Sequence, residues 1–551
     1  MRGPAGFSQA SAKATLVSTV LARTRDLLAA SVCVFALSLG LPGLVSVGVA
    51  ASGRLAKPAL RSSKGVTGLR WACPTGACEA IVVPPPVKVA GGYALPGSDR
   101  ILEGSGERKG LDPQDLQSAY KIPSTVGSPQ TIALIDAYGY PDAESDLATY
   151  RERYGLPPCT TANGCFKKVN QNGVEGSYPR EEEGWDTEAA LDEDMASAAC
   201  PQCHILMVEG RGELPAQLGA AVNTAVRLGA NEISNSYGYP EKDVALCGAS
   251  ECAQYDSDYD HPGVLIAASA GDSGYNDVYF ELGYGTTNFP AASPNVLAVG
   301  GTALFKVAGS SRGWFEEAWG EFAISAGTGS GCSSQAKPAW QTDSGCAGRT
   351  DNDVSAVAAV VTPVSIRFDG TWTLVGGTSV ASPLVAGIEA HSSAYVRSLG
   401  AQAFYEDPSS LYDVTEGFNW DALDESGSSE CAPQEYLCNA EVGYDGPTGL
   451  GTPDGVPVIA EAPQPPTITN VKPRLGPLAG GTAVTITGTN LAGAKAVDFG
   501  SLPAKGVTAD SATSITAESP ATSTTGAVEV TVTTGGGKSA ATSADRFTYY
   551  K

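Results

Sequence analysis

Four short runs, apolar almost throughout and bounded by turn residues, constrain this chain more than any other feature: Thr131–Asp136, His204–Val208, Gly263–Ala268 and Asn295–Val299. A strand with one face in water alternates apolar and polar side chains, so a run without alternation has both faces covered. Stretches with helical patterning lie between or after these runs, at Glu188–Ala199, Leu214–Leu228 and Ala381–Leu399. Asp112 followed by Pro113 marks one more helix start, a capping acid before a first-turn proline. This alternation predicts an α/β domain, doubly wound on a mainly parallel sheet. Ligands of such sheets sit beyond the carboxyl ends of the strands, so the chemistry is sought in the loops that follow these runs.

The texture changes at both ends. Ala460–Pro466 is a stiff proline-rich linker. Beyond it come short alternating strands, such as Ala483–Thr487 and Ala527–Thr533, with few charges and no helix signal. They predict a small all-β sandwich of the immunoglobulin-like type. At the other end, Arg23 and Arg25 precede an apolar run, Leu27–Ala50, that closes on small residues. The run is long enough to span a bilayer, but Pro42, Gly43 and the small residues Ala50, Ala51 and Ser52 favour a cleaved export signal. Residues 51–110 are rich in Gly, Pro and Ala, and Pro84–Pro86 cannot join a central strand. The expected organisation is therefore a signal at 1–50, a short pro-segment or N-terminal extension at 51–110, a catalytic domain at 111–460, a linker at 461–465 and a β module at 466–551. No later segment is apolar enough to cross a membrane, so no integral membrane part is expected after signal removal.

Composition narrows the function classes. The 551 residues include 42% hydrophobic and 17% charged residues, which suits a globular chain with ample core. A formal charge of −24 at pH 7 leaves no electrostatic footprint for nucleic acid. Of 13 cysteines, Cys33 lies in the signal. The others fall in sequence-adjacent couples: Cys73 with Cys78, Cys159 with Cys165, Cys200 with Cys203, Cys247 with Cys252, Cys332 with Cys346 and Cys431 with Cys438. Spacing does not determine connectivity, but such couples suit an oxidising, extracellular setting. Cys200-Pro-Gln-Cys203 has the spacing of a redox or zinc motif, yet no second cluster accompanies it, which favours a structural disulfide.

One serine stands out. Gly376-Gly-Thr-Ser379-Val-Ala-Ser-Pro383 follows a strand-like segment and opens a helix. A serine at a helix N-terminus lies beside free N–H groups that can stabilise an oxyanion. A simple helix cap needs the serine but not the flanking glycines, threonine and proline. A nucleophilic serine needs a base. The chain has three histidines, His204, His261 and His391, and none lies in a His-Gly-Thr run. The remaining candidates are Glu188 and Asp192, whose four-residue spacing puts both carboxylates on one helix face.

These motifs together resemble the sedolisins, the serine-carboxyl peptidases of subtilisin-like fold. Sedolisins use a Glu-x-x-x-Asp helix in place of histidine, matched by Glu188 and Asp192, and the Gly-Thr-Ser-x-x-x-Pro run, matched at Ser379. Their oxyanion aspartate sits in a Ser-Gly-Asp-Ser-Gly turn; here Ser269-Ala-Gly-Asp272-Ser-Gly274 has one extra small residue. Ser234–Gly238, Phe289–Pro294, Val299–Thr302 and Trp340-Gln341 also match, so the likeness spans about residues 111–457 in family order. The resemblance implies a secreted, acid-active endopeptidase that takes protein or peptide substrates through an acyl-enzyme on Ser379, with Glu188 as base, Asp192 as its partner and Asp272 at the oxyanion. The alternative is a catalytically silent secreted or wall-associated binding protein on the same fold.

The resemblance also implies one structural calcium ion, held by the carboxylates of Asp413 and Asp445 and by main-chain oxygens of Val414, Glu441 and Gly443. Oxygen-only ligation suits a hard cation. Asp445-Gly446-Pro447 is equally a turn signal. Two departures stand beside the likeness: the segment ahead of residue 111 is short for a sedolisin pro-domain, and Asp136 ends the first strand without a matching histidine, which makes it structural. The C-terminal segment resembles an IPT/TIG module, through Pro466–Val471, Gly480-Gly481-Thr482 and Thr485–Gly488. Its expected role is a spacer, or contact with a cell surface or polymer.

Overall fold

The computed structural model describes residues 69–73, 77–84, 87–89, 92–94, 110–124, 129–182, 184–242, 247, 251–275, 287–321, 326–419, 431, 434–459, 464–491, 494–534 and 537–551. The expected signal, with its flanking arginines and cleavage site, lies outside the described residues.

A sheet of eight strands forms the centre: β1 (Thr131–Ala137), β2 (Phe166–Asn170), β3 (His204–Gly210), β4 (Glu232–Asn235), β5 (Leu265–Ser269), β6 (Leu297–Lys306), β7 (Trp314–Ala318) and β8 (Val354–Val357). The order is β7-β6-β5-β4-β1-β3-β2, with β8 also pairing β6. Every pairing is parallel except β6 with β7. Each of the four apolar runs contributes a strand, and β5 is buried at every position. The helices are α1 (Pro113–Ala119), α2 (Ala143–Tyr154), α3 (Trp185–Ala199), α4 (Pro215–Arg227), α5 (Thr378–Glu389), α6 (Ala394–Leu399) and α7 (Gln402–Glu406). In α1 the Asp112 carboxylate accepts from the N–H groups of Gln114 and Asp115, each at 3.0 Å, satisfying two otherwise free donors.

Two helices place the chemistry. α5 packs on β4, β5, β6 and β8 and lies against α3. Their approach depends on small residues: a Cβ added at Gly387 would fall 2.5 Å from that of Ala199. α3 is buried along its whole length, and α2 and α1 cover it in turn. The expected single helix over Ala381–Leu399 is instead two. α5 stops at Glu389, and the Ser393 hydroxyl accepts from Val396 N to cap α6. His391 in the break has Nε2 3.1 Å from Ala199 O, which draws the chain back toward the end of α3. Local serine bonding to the backbone outcompeted helix continuation, a preference that periodicity does not carry.

The segment ahead of residue 110 contributes more to the core than its composition suggests. Arg70–Trp71 and Ile81–Val83 form a four-stranded antiparallel sheet with Val364–Phe368 and Thr371–Gly376. Trp71, Ile81 and Val83 are buried with Trp319 and Val360. Ile81–Val83 ends directly before Pro84, in keeping with proline's missing donor.

All six couples of cysteines form disulfides, Cys200 with Cys203 among them. Beyond Pro466 two sheets make a sandwich. One has Thr467–Lys472, Ala483–Thr489, Ser514–Glu518 and Lys505–Ser511 in that order, and the other centres on Gly526–Thr534 and Arg546–Tyr550. Burial alternates along Ala483–Thr489, as a strand with one wet face requires. Its core, from Ile468 through Phe499 to Tyr549, is separate from that of the α/β region.

Candidate active site

Ser379 is the second residue of α5 and is fully buried. Gly377, just before the helix, has φ +117°, a conformation that L side chains avoid. A Cβ there would also fall 2.3 Å from Glu79 O and 2.6 Å from Asp272 Oδ2, so glycine is required on steric grounds as well. Pro383 lies four residues after Ser379 and carries no N–H, so the Ser379 carbonyl lacks its usual helix partner. The Ser236 hydroxyl approaches that carbonyl at 3.5 Å.

Asp272 follows β5 in the turn before Ser273 and is fully buried. Its Oδ1 accepts from Thr378 N at 2.7 Å and from Thr378 Oγ1 at 2.9 Å. Thr378 Oγ1 in turn accepts from Gly271 N at 3.2 Å. Oδ1 is thus engaged as an acceptor twice, while Oδ2 borders the same point beside Gly377 as Glu79 O. Ser379 N donates to that Glu79 carbonyl at 3.2 Å. The Ser379 N–H thus meets a carbonyl oxygen, and Asp272 Oδ2 borders the same space beside Gly377, so both groups lie where an oxyanion would need donors.

Glu188 and Asp192 lie one turn apart on α3 and are both fully buried. Asp192 Oδ1 accepts from Ser236 Oγ at 2.6 Å, and Asp192 Oδ2 has no hydrogen-bond partner among the described residues. Burial first, then the charges of Asp136 and Glu188, hold the Asp192 carboxyl well above the usual carboxylate range. Ser236 bridges the two helices: its hydroxyl serves Asp192, while its main-chain O lies 3.5 Å from Ser379 Oγ. Ser236 belongs to the Ser234–Gly238 run, whose sequence carries no sign of this contact; the contact depends on the end of β4 lying between α3 and α5.

Asp136, read from sequence as structural, ends β1 behind this group with its carboxylate buried. Burial and the nearby Glu209 raise it, and it contributes in turn to the raising of Asp192. Glu193 and Asp194 are buried on α3 as well, and Arg367 N donates to Asp194 Oδ2 at 2.7 Å. That bond ties α3 to the hairpin leading into Gly376-Gly377.

The residues expected at calcium lie on two loops. Gly443 N donates to both oxygens of Asp413, at 3.2 and 3.0 Å. Asp445 Oδ2 accepts from Glu441 N at 2.9 Å, and its Oδ1 accepts from Thr448 N at 2.8 Å. Burial chiefly, with the Asp413 charge adding to it, pushes Asp445 up to about 7. The two carboxylates are oxygen donors, the kind a hard cation takes, and here their oxygens accept main-chain N–H groups. Among the described residues no three or more His, Cys, Asp or Glu side chains cluster as a metal site, so any such ion would depend on main-chain oxygens. No described helix is long and apolar enough to cross a membrane.

Comparison with known proteins shows what the chain is similar to. Residues 187–403 match the subtilase family (Peptidase_S8), and residues 466–549 match the IPT/TIG domain. Kumamolisin of Bacillus sp. (strain MN-32) is 30% identical over 361 residues, covering 63% of this chain and 62% of that protein. Sedolisin of Pseudomonas sp. (strain 101) is 30% identical over 384 residues, covering 64% and 61% respectively. The chain thus spans less than two thirds of the length of these relatives. Among solved structures, Pseudomonas sedolisin, a serine-carboxyl proteinase complexed with two molecules of pseudo-iodotyrostatin, superposes with a TM-score of 0.52 at 26% identity. That match covers 63% of this chain and 96% of the sedolisin chain.

Proposed function

We propose that this sedolisin-like chain is a secreted serine-carboxyl endopeptidase that works in acid, with Ser379 as nucleophile. The observation that supports the reading is that Ser379 N donates to a carbonyl oxygen at 3.2 Å and that this oxygen and Asp272 Oδ2 both border the space beside Gly377. Glu188 takes the proton of Ser379, and Asp192, anchored by Ser236, orients Glu188 through a shared proton. Asp272, protonated in acid, donates from Oδ2, the oxygen left over because Oδ1 is taken as an acceptor by Thr378 N and Oγ1. A histidine base, with an ordinary pKa of about 6.5, is protonated near pH 4, whereas a glutamate, at about 4.3, still accepts a proton there. At neutral pH an ionised Asp272 repels the oxyanion and the rate falls.

The pH dependence of kcat/KM for the wild type, Asp272→Asn and Asp272→Ala tests this. Losing the donor typically costs about 2.7–4 kcal/mol of transition-state stabilisation. Asp272→Asn keeps a donor without titrating, so it should lose less than Asp272→Ala and decline less toward neutral pH. A wild-type optimum at or above neutrality, in folded protein, would overturn the mechanism.

The reading extends to the whole chain. Residues 1–50 are an export signal, the catalytic domain spans 111–460 together with the strands ahead of it, and 466–551 form a separate module. A single calcium ion, held by Asp413, Asp445 and the main-chain oxygens of Val414, Glu441 and Gly443, would pin the 441–445 loop to Asp413. A ligand bound only by the folded state stabilises it, by about 2.7 kcal/mol at a hundredfold excess over Kd. Thorough chelation should therefore lower the melting temperature, and Asp413→Ala should remove that response.

A further inference from the structure

The C-terminal end of α5 gathers a second group of buried acids, at the opposite end of the helix from Ser379. Glu389 is the last residue of α5 and Glu232 the first of β4, and both are buried. Arg397 of α6 is buried with them, its Nε 2.9 Å from Glu232 Oε1. Arg397 Nη1 donates to Ser392 O, and the Ser392 hydroxyl donates to Glu389 Oε2 at 2.8 Å. The strands that flank Glu232 place Ile132 and Leu265 beside it in register, both apolar. His391, the titratable residue in the break after α5, has its Nε2 3.1 Å from Ala199 O at the end of α3. Two carboxyls and one guanidinium thus join β4, α5 and α6.

One guanidinium balances one carboxylate. A second carboxylate in the same dry space is a buried charge without a counter-ion, which is costly. Glu232 Oε2 and Glu389 Oε1 have no hydrogen-bond partner among the described residues, so nothing there offsets a charge on them. Burial raises Glu389 to about 7, against the Ser392 hydroxyl and the Arg397 charge, which lower it. Burial raises Glu232 to about 8, with Arg397 lowering it and Glu389 adding to the rise. The two carboxyls therefore hold protons in acid and lose them around and above neutrality. When they do, the cover is what can yield. β4 is an inner strand of the eight-stranded sheet, flanked by β1 and β5. α6 has six residues, of which Val396 and Arg397 are buried, and a helix that short does not persist without its anchors.

We infer that Glu232, Glu389 and Arg397 form a proton-held latch: in acid it fastens α6 against the end of α5, and loss of its protons toward neutral pH opens residues 389–399 to water. The latch goes beyond the peptidase reading and does not depend on Ser379 being a nucleophile. Its direction follows from linkage. An open segment, with glutamates at about 4.3, has released these protons by neutral pH, whereas the closed segment still holds them. Closure is therefore fully favoured below about pH 4 and weakens as pH rises through the folded values of about 7 and about 8. Each unit by which a carboxyl is raised is tenfold in the opening equilibrium, so the pair commands at least about a hundredfold.

The test is hydrogen exchange of the full chain at about pH 4, 6 and 8, read by mass spectrometry on peptides covering 389–399 and corrected for the intrinsic effect of pH. In the wild type, protection of this segment should fall by at least about a hundredfold between pH 4 and pH 8. Glu389→Gln and Glu232→Gln each leave one carboxylate for one guanidinium. Either should restore most of the protection at pH 8 and change nothing at pH 4. His391→Gln, which keeps a donor for Ala199 O, should open as the wild type does. A wild-type segment equally protected at pH 4 and pH 8 overturns the latch, as does opening that persists unchanged in the glutamine variants. Loss of the opening in His391→Gln overturns it too, by moving the switch to the imidazole. Should one glutamine variant fail to fold, the other decides.

Discussion

In the C-terminal module the core is built from side chains such as Ile468, Val484, Phe499, Ile515 and Phe547, and Asp545 is the one acid buried there among the described residues. The α/β region buries Asp136, Glu188, Asp192, Glu193, Asp194, Asp272, Asp353 and Glu389 in addition to its apolar core. A sandwich that needs only cohesion keeps charge outside, since burying an ionised carboxylate is expensive. The α/β region tolerates buried acids in two ways. Asp353 is paired: Arg349 Nη2 and Nη1 reach its two oxygens at 2.6 and 3.1 Å, with both residues fully buried. Burial by itself would lower the Arg349 pKa, but Asp353 outweighs it and the guanidinium is held above its usual value. For Asp192, Glu193 and Asp194 on α3, burial is the largest influence and holds their carboxyls well above the usual range. The difference between the two regions is that one keeps its buried acids few while the other holds many, some ion-paired and some raised by burial.

The sharpest way to break this contrast is Ser379→Ala. On the proposed mechanism this removes the nucleophile and should lower kcat on a peptide substrate by about 10⁶, to the level that oxyanion stabilisation and binding support. The melting temperature should scarcely move, which calorimetry beside kinetics checks. Next in size is Arg349→Met. It strands a buried Asp353 without its cation, and breaking a buried pair in this way costs about 3–5 kcal/mol of stability, readable by urea denaturation. If the loss proved no larger than for a surface arginine, the division between buried acids that are paired and those raised by burial would not hold.

A subtler comparison comes from pH. A buried acid raised in the folded state holds a proton that the unfolded chain, with carboxyl values of about 4, has already released. Its contribution is fully present below about pH 4 and is lost as pH rises through the folded value. Glu389 is raised by burial to about 7, and the α3 acids are raised by the same cause. The α/β region should therefore unfold at progressively lower temperature from about pH 4 to pH 7 and beyond. The module should not respond in this way, and calorimetric scans of the chain across pH check both. The smallest expected effect is deletion of residues 466–551. It should leave kcat/KM on a small peptide unchanged within about twofold, because the module's core is its own.

Much of this was legible in the residues. The four apolar runs could be read as covered strands because period and burial are directly linked, and the module's alternation could be read for the same reason. Glu188 and Asp192 were legible as a pair because four residues make one helical turn. Gly377 and Ser379 were legible because a positive φ and a helix N-terminus demand particular residue types. Short-range rules of this kind act within a few residues, and sequence by itself determined what they govern.

The tertiary structure decided what depends on residues far apart in the chain. Glu193 and Asp194 look like solvated acids until α1, α2 and the 364–376 hairpin close over α3. Ser236 joins Asp192 to Ser379 only because β4 ends between their helices. Nothing in the Gly- and Pro-rich composition of 51–110 shows that Glu79 lies against Ser379, some three hundred residues later. That contact comes from strand pairing with Ser236–Gly238 and Leu374–Gly376, and main-chain hydrogen bonds are nearly blind to side-chain identity. A bond that any residue can make leaves almost no mark in the sequence.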